Sequence, residues 1–189
     1  MNHPRRRATL TCLAAGLLTA ALPAVSAAAY PDKPIRLVVP FPPGQGADIL
    51  ARLIGQHLAA ALGQPIVVEN KVGAGGIIGT AFAAKAAPDG YTLYMGSSGP
   101  LAIGPHVYKA VGFDTLKDFA PISNIASVTQ VLVTAPASQL ASAKDVVERA
   151  RAQPGMVPFG SAGSGTTSHL TMELFTQMSG ISLSHVPYK

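Results

Sequence analysis

The sequence has no tryptophan and a single cysteine, Cys12, in 189 residues. One thiol cannot form an internal disulfide, and it supplies no thiolate set for a structural metal. Only 12% of residues are charged and 6% aromatic, while 48% are hydrophobic. That balance excludes a disordered chain and permits a real core of one large domain or one and a half ordinary ones. There is no apolar run long enough to span a bilayer. The pI of about 9.6 suggests a polyanion as partner, but the basic residues are unevenly placed. Three of the 14 lysines and arginines, and none of the 9 acids, fall in residues 1–29, so the remainder carries 11 against 9, a net of +2. It contains no cluster of lysine or arginine, and nucleic acid is not expected as a partner. What is abundant is glycine, 19 residues, and proline, 16, which means many turns.

Residues 1–29 read as a secretory signal peptide. Arg5, Arg6 and Arg7 precede an apolar run over residues 10–22, and Ala24, Ser26, Ala27, Ala28 and Ala29 supply small residues for cleavage before Tyr30. The twin arginines match the export signal for folded proteins only in part. Cys12 lies inside this segment, which argues against a lipid-anchored cysteine at the mature terminus and leaves the mature chain without a thiol. The expected destination is the bacterial periplasm.

The rest is organised around residues 35–62, read as strand, turn and helix. Residues 35–39 are apolar and partly β-branched, as in a strand buried on both faces. Pro40, Pro42 and Pro43 stop strand pairing, and Gly44 and Gly46 allow a tight turn. Leu50, Leu53, Ile54, His57, Leu58, Ala61 and Leu62 follow at helical spacing. Asp48 lies at the first turn, where an acid caps free amides, and Gly63 and Pro65 end the helix. The stretch reads equally as an ordinary β–α turn and as an anion site at a helix start. Further strands are expected at residues 66–69, 91–95, 120–127, 130–134, 157–161 and 181–186. Helices are expected at 77–87, 142–153 and 168–178, with a capping box at Ser142 and Asp145. This alternation predicts an α/β fold with mostly parallel sheets and a cleft beyond the C-terminal strand ends.

Few motifs carry chemistry. Gly73-x-Gly75 has its third glycine one position late, at Gly79, and no acid ends the next strand, which argues against a dinucleotide. The loop of Gly160, Ser161, Ala162, Gly163, Ser164, Gly165, Thr166 and Thr167 has phosphate-loop glycines but no lysine after them. No Gly-x-Ser-x-Gly elbow surrounds Ser97, Ser98, Ser161 or Ser164. His169 opens a helix beside this loop, as a base, a ligand contact or a packing residue; His57 reads as structural. His106 and His185 lack partners at metal spacing, so no metal or other cofactor is expected. Amide- and hydroxyl-rich turns without a catalytic constellation suit a binding protein for a small polar anion.

YPDKPIRLVVPFPPGQGADILAR, GQPIVVENKVGAGGIIG, AKAAPDGYTLYMGS, KDFAPIS and FGSAGSGTTSHLTMELF followed by HVPYK resemble the substrate-binding proteins of tripartite tricarboxylate transporters, the Bug family, from Tyr30 to Lys189. The resemblance implies a two-lobed, Venus flytrap-like α/β periplasmic binding protein. It would capture a small organic acid as a monomer and deliver it to membrane permease subunits. It also implies that two loops hold the carboxylate, partly through water. They match Phe41, Pro42, Gly44, Gly46, Ala47 and Asp48, and Ser161, Ala162, Gly163, Ser164, Gly165, Thr166, Thr167 and His169; Ser97 and Ser98 lie near the cleft. Gln45 and Ala47 stand where the family often has glycine and a hydroxyl residue, so position 47 offers no hydroxyl. With no lysine or arginine in either loop, amides and the hydroxyls of Ser161, Ser164, Thr166 and Thr167 are the expected donors. Valine at Gly46 or Gly165 should widen its turn.

The family continues beyond HVPYK, so lobe one is expected over residues 30–133, lacking its return strands, and an incomplete lobe two over 134–189. Two rival readings are a secreted hydrolase pairing His169 with Ser161, Ser164 or Ser168, and a truncated product without function.

Overall fold

The computed structural model describes residues 29–188. The expected signal peptide lies outside them, except for Ala29. The elements below all belong to the unit Lys33–Lys189.

β1, Ile35–Val39, is the middle strand of a three-stranded parallel sheet. It pairs with β2, Ile66–Asn70, and with β3, Thr92–Tyr94, so that Leu37 stands between Val68 and Leu93. A central strand covered on both faces buries consecutive residues, and Ile35, Val38 and Val39 are at most 1% exposed. Arg36 departs from the pattern: it is exposed, 3.6 Å from Glu69 and beside the Phe82 ring. α1, Gly46–Leu62, covers one face. Its Ala51 joins Leu37, Val39 and Met95 in the core, flanked by Ala47, Leu50, Ile54, Ile66, Val68 and Leu93. Gly63 ends α1 in the left-handed region, as its place before Pro65 leads one to expect. α2, Ile77–Ala84, covers the other face; buried Thr80 donates to the Gly76 carbonyl and bonds the Tyr94 hydroxyl. α2 stops three residues short of the expected end.

After β3 a π-helical turn, Gly99–Ile103, runs into the short α3, Gly104–Val107. This part was expected to be loop. The strands expected at 120–127 and 130–134 do not form: the only regular element between α3 and residue 142 is a 3-10 turn, Pro136–Ser138. Ile122, Val128, Val131 and Val133 are 76–83% exposed. Their β-branched alternation has the pattern of a strand, but no described strand lies beside them to share backbone hydrogen bonds, and propensity alone does not make a strand.

α4, Ala143–Ala152, carries the expected capping box: the Asp145 amide donates to Ser142 Oγ and the Ser142 amide to the Asp145 carboxylate. Such a cap contributes about 1 kcal/mol. β4, Pro158–Ser161, leads through α5, Thr167–Ser179, to β5, Ser184–Pro187, and the two strands pair in parallel as a second sheet. β5 begins three residues later than expected. Among the described residues no helix is long and apolar enough to cross a membrane.

Candidate ligand site at the C-terminal strand ends

Parallel pairing brings the loops that follow β1, β2 and β3 to one edge of the first sheet. Gly76, after β2, touches the loops after the other two strands, β1 and β3: a Cβ there would lie 3.1 Å from Pro100, 3.4 Å from Pro40 and 3.5 Å from Phe41. The loop after β4 meets the same place. A Cβ on Gly75 would stand 2.7 Å from the Ser164 carbonyl oxygen and 3.3 Å from Thr166. Ser98 Oγ is 3.1 Å from Thr167 Oγ1, and Tyr108, just past α3, donates 2.8 Å to the Ser164 carbonyl. Gly75 has φ +62°, so close approach and backbone together demand glycine.

The first loop is held from inside by Asp48. The residue is 2% exposed, and its carboxylate accepts from the Gly44 amide at 2.9 Å, Arg52 Nε at 3.0 Å and Asn70 Nδ2 at 2.9 Å. Asn70 Nδ2 also donates to the Phe41 carbonyl at 2.9 Å. Arg52, the Gly44 amide and Asn70, in that order, hold the Asp48 carboxyl well below the usual carboxylate range. Asp48 therefore secures the turn upstream of α1 rather than capping the helix's own amides. Gln45 makes no side-chain cap either, and the amides of Gly46, Ala47 and Asp48 have no partner among the described residues. The Pro42 carbonyl accepts from Gln45. Gly46 has an ordinary φ and nothing within 4 Å of a Cβ, so valine there would not widen the turn.

The second loop is self-bonded. Ser161 Oγ receives the Gly163 amide and donates to the Gly163 carbonyl, both at 3.2 Å, and lies 2.7 Å from His185 Nε2. Thr166 Oγ1 donates to the Gly163 carbonyl and caps α5 by accepting from the His169 amide. The Ala162 amide donates to Ser168 Oγ, and the Gly165 amide to His169 Nδ1 at 3.2 Å. Gly165 has φ +74° and would place a Cβ 3.0 Å from Tyr108. The amides of Ser164, Thr167 and Ser168 have no partner among the described residues. Ser161 and Thr166 are thus spent on the loop itself, whereas the Ser164 hydroxyl is exposed and unengaged. Ser97 accepts from the Leu101 amide through its carbonyl and is half-buried.

His169 touches no serine hydroxyl through its ring: Nδ1 takes the Gly165 amide, and Nε2 is 3.5 Å from Glu173. The histidine on Ser161 is His185. Its ring is pushed below its ordinary value by burial and then by His169, and among the described residues no carboxylate is bonded to it. A serine–histidine pair without an orienting acid lacks one part of a hydrolytic triad. Among the described residues no group of three or more His, Cys, Asp or Glu is placed to hold a metal.

Five residues outside the sequence-derived set shape this site: Arg52, Asn70, Gly75, Tyr108 and His185. Arg52 is legible as the i+4 partner of Asp48; Asn70 and His185 are brought in by strand pairing, and Gly75 and Tyr108 by the packing of their loops on the loop after β4.

The family model described as tripartite tricarboxylate transporter family receptor matches residues 50–189. The Bordetella pertussis protein BugT is 43% identical over 166 residues, 87% of this chain and 51% of that protein. A solved structure of an R. palustris protein with adipate superposes with TM-score 0.81 at 38% identity, covering 85% of this chain and 54% of the other. MatC from Rhodopseudomonas palustris with bound malate gives TM-score 0.72 at 27% identity, over 84% and 54%. The chain spans about half the length of the curated relatives it matches. By the family model, the identities and the shared periplasmic binding protein fold, the chain belongs to the tripartite tricarboxylate transporter receptor family.

Proposed function

We propose that this chain carries the carboxylate-holding loops of a periplasmic solute receptor, which binds a small organic acid and passes it to membrane permease subunits. One observation supports this reading above the rest. Two helix starts and the turns that lead into them keep amides unpaired, at Gly46, Ala47 and Asp48 before and within α1 and at Ser164, Thr167 and Ser168 before and within α5, and both turns follow the C-terminal ends of parallel strands, β1 and β4. Unpaired amides at helix starts suit an anion, and no lysine or arginine is needed beside them. The adipate- and malate-bound relatives make a dicarboxylate the first class to try. Residues 30–133 would belong to one lobe and 134–189 to the other, with Phe41 to Asp48, Ser97 and Ser98 on the first side and Ser161 to His169 on the second.

A thermal-shift panel on the complete gene product tests this. A saturable rise in Tm with adipate, malate or a related dicarboxylate is expected, about 2.7 kcal/mol of stabilisation at a hundredfold excess over Kd. A panel in which sugars or amines shift Tm and no carboxylate does would overturn it.

A further inference from the structure

His185 lies on β5, outside both loops, yet it closes the second one. Its ring stacks on His169 with centroids 3.9 Å apart and 18° between planes, and on Phe159 at 4.9 Å. Its Nε2 meets Ser161 Oγ at 2.7 Å, while His169 Nδ1 accepts the Gly165 amide. Ser161 and Gly165 bracket the turn that presents the Ser164 amide and hydroxyl. One stack of two imidazoles therefore bonds both ends of that turn.

We propose that His185 is a positioning residue for anion binding: stacked on His169, it holds the 161–165 turn in its binding geometry and makes that geometry depend on pH. The inference rests on the receptor reading above.

The groups around the stack fix the sign. From α5, half-exposed Glu173 stands 3.5 Å from His169 Nε2. From β4 come Phe159 and Ser161, which carry no charge, and beyond Gly165 the Tyr108 phenol is bonded to the Ser164 carbonyl. No other described acid or base is ion-paired with either histidine. A proton on His169 Nδ1 removes the acceptor of the Gly165 amide and sets one N–H against another. Two imidazolium rings at this separation repel, and a single half-exposed carboxylate offsets only one of them. The neutral pair is thus the state that holds the turn. A proton that merely added charge would tighten an anion as pH falls; a proton that undoes the turn loosens it.

Calorimetric titration of the complete gene product with adipate, from pH 8.0 to 5.5, separates these. For the unaltered protein Kd should rise about tenfold over that range, as expected for loss of one or two hydrogen bonds. His185→Ala should bind about tenfold more weakly at pH 8.0. His185→Gln keeps an amide for Ser161 but does not titrate. It should bind within about threefold of the original at pH 8.0 and lose at least half of the pH dependence. Affinity that tightens or stays flat as pH falls, or a His185→Ala Kd within about twofold of the original at pH 8.0, overturns the proposal. If no dicarboxylate binds the unaltered protein, the receptor reading is what fails. Nitrogen-15 NMR of the ligand-free protein then tests the stack alone. His169 Nδ1 should report as the acceptor of the Gly165 amide, and the Gly163 and Gly165 amides should lose exchange protection together as pH falls. Amides indifferent to pH and to His185→Ala overturn it.

Discussion

The Tyr108 hydroxyl donates to the Ser164 carbonyl at 2.8 Å, joining the segment after α3 to the loop after β4. The same ring lies against Gly165 and its hydroxyl near Gly75. Residues 56 positions apart thus fix the carbonyl that precedes Gly165. Tyr108→Phe removes one neutral hydrogen bond and little else. It should weaken adipate binding by about 1 kcal/mol, a factor of about five, with Tm nearly unchanged. Isothermal calorimetry beside a melting curve checks this; an unchanged Kd would show that the bond does not support the loop.

Gly75 and Gly46 make a matched pair of substitutions. Alanine at Gly75 must adopt φ +62° and approach the Ser164 carbonyl to 2.7 Å, so the junction has to move. A non-glycine residue in that region costs about 1–3 kcal/mol before any clash is counted. Gly75→Ala should lower both Tm and affinity. Gly46→Ala, with open space around it, should leave stability within about 0.5 kcal/mol of the original and Tm nearly unchanged. Melting curves of the two variants decide, and equal Tm values would contradict the packing described.

Asp48 predicts an acid limit to stability. Its folded pKa is depressed, so its contribution is present above the unfolded value of 3.8 and is lost as pH falls from there through the folded value. His185 acts in the same direction at higher pH: its depressed value gives a contribution that is full above about 6.5 and declines below it. Tm should therefore fall in two stages on acidification. Asp48→Asn should lower Tm at pH 7 and shrink the stage below pH 3.8, to which Asp114 and Asp145 also contribute, while His185→Gln should lose the upper one. Chemical or thermal denaturation from pH 8 to 3 measures both; a single stage unaffected by either variant would contradict the assignment.

Much of the fold is legible in the chain because local signals agree. Ile35 to Val39, the glycine turn, the α1 periodicity and the Ser142–Asp145 box each specify the same structure at short range. Residues 120–134 fail for the opposite reason: Val128, Val131 and Val133 have strand propensity but no described strand to pair with. The site is half legible. Glycines and hydroxyls mark both loops, yet the hydroxyls of Ser161 and Thr166 turn inward to bond their own loop. Asn70, Tyr108 and His185 enter through strand order and packing, at separations of 22 to 56 residues from the groups they bind, where sequence spacing carries no signal.

The central claim is that these loops hold a carboxylate by its charge, through amides and helix starts rather than through a basic side chain. Titration of the complete gene product with adipate and with its dimethyl ester tests it most directly. Charge-assisted bonds contribute about 1.5–3 kcal/mol each and a helix start about 0.3–1 kcal/mol, so the ester should bind at least about a hundredfold more weakly than the acid. Equal affinity for acid and ester would contradict the claim.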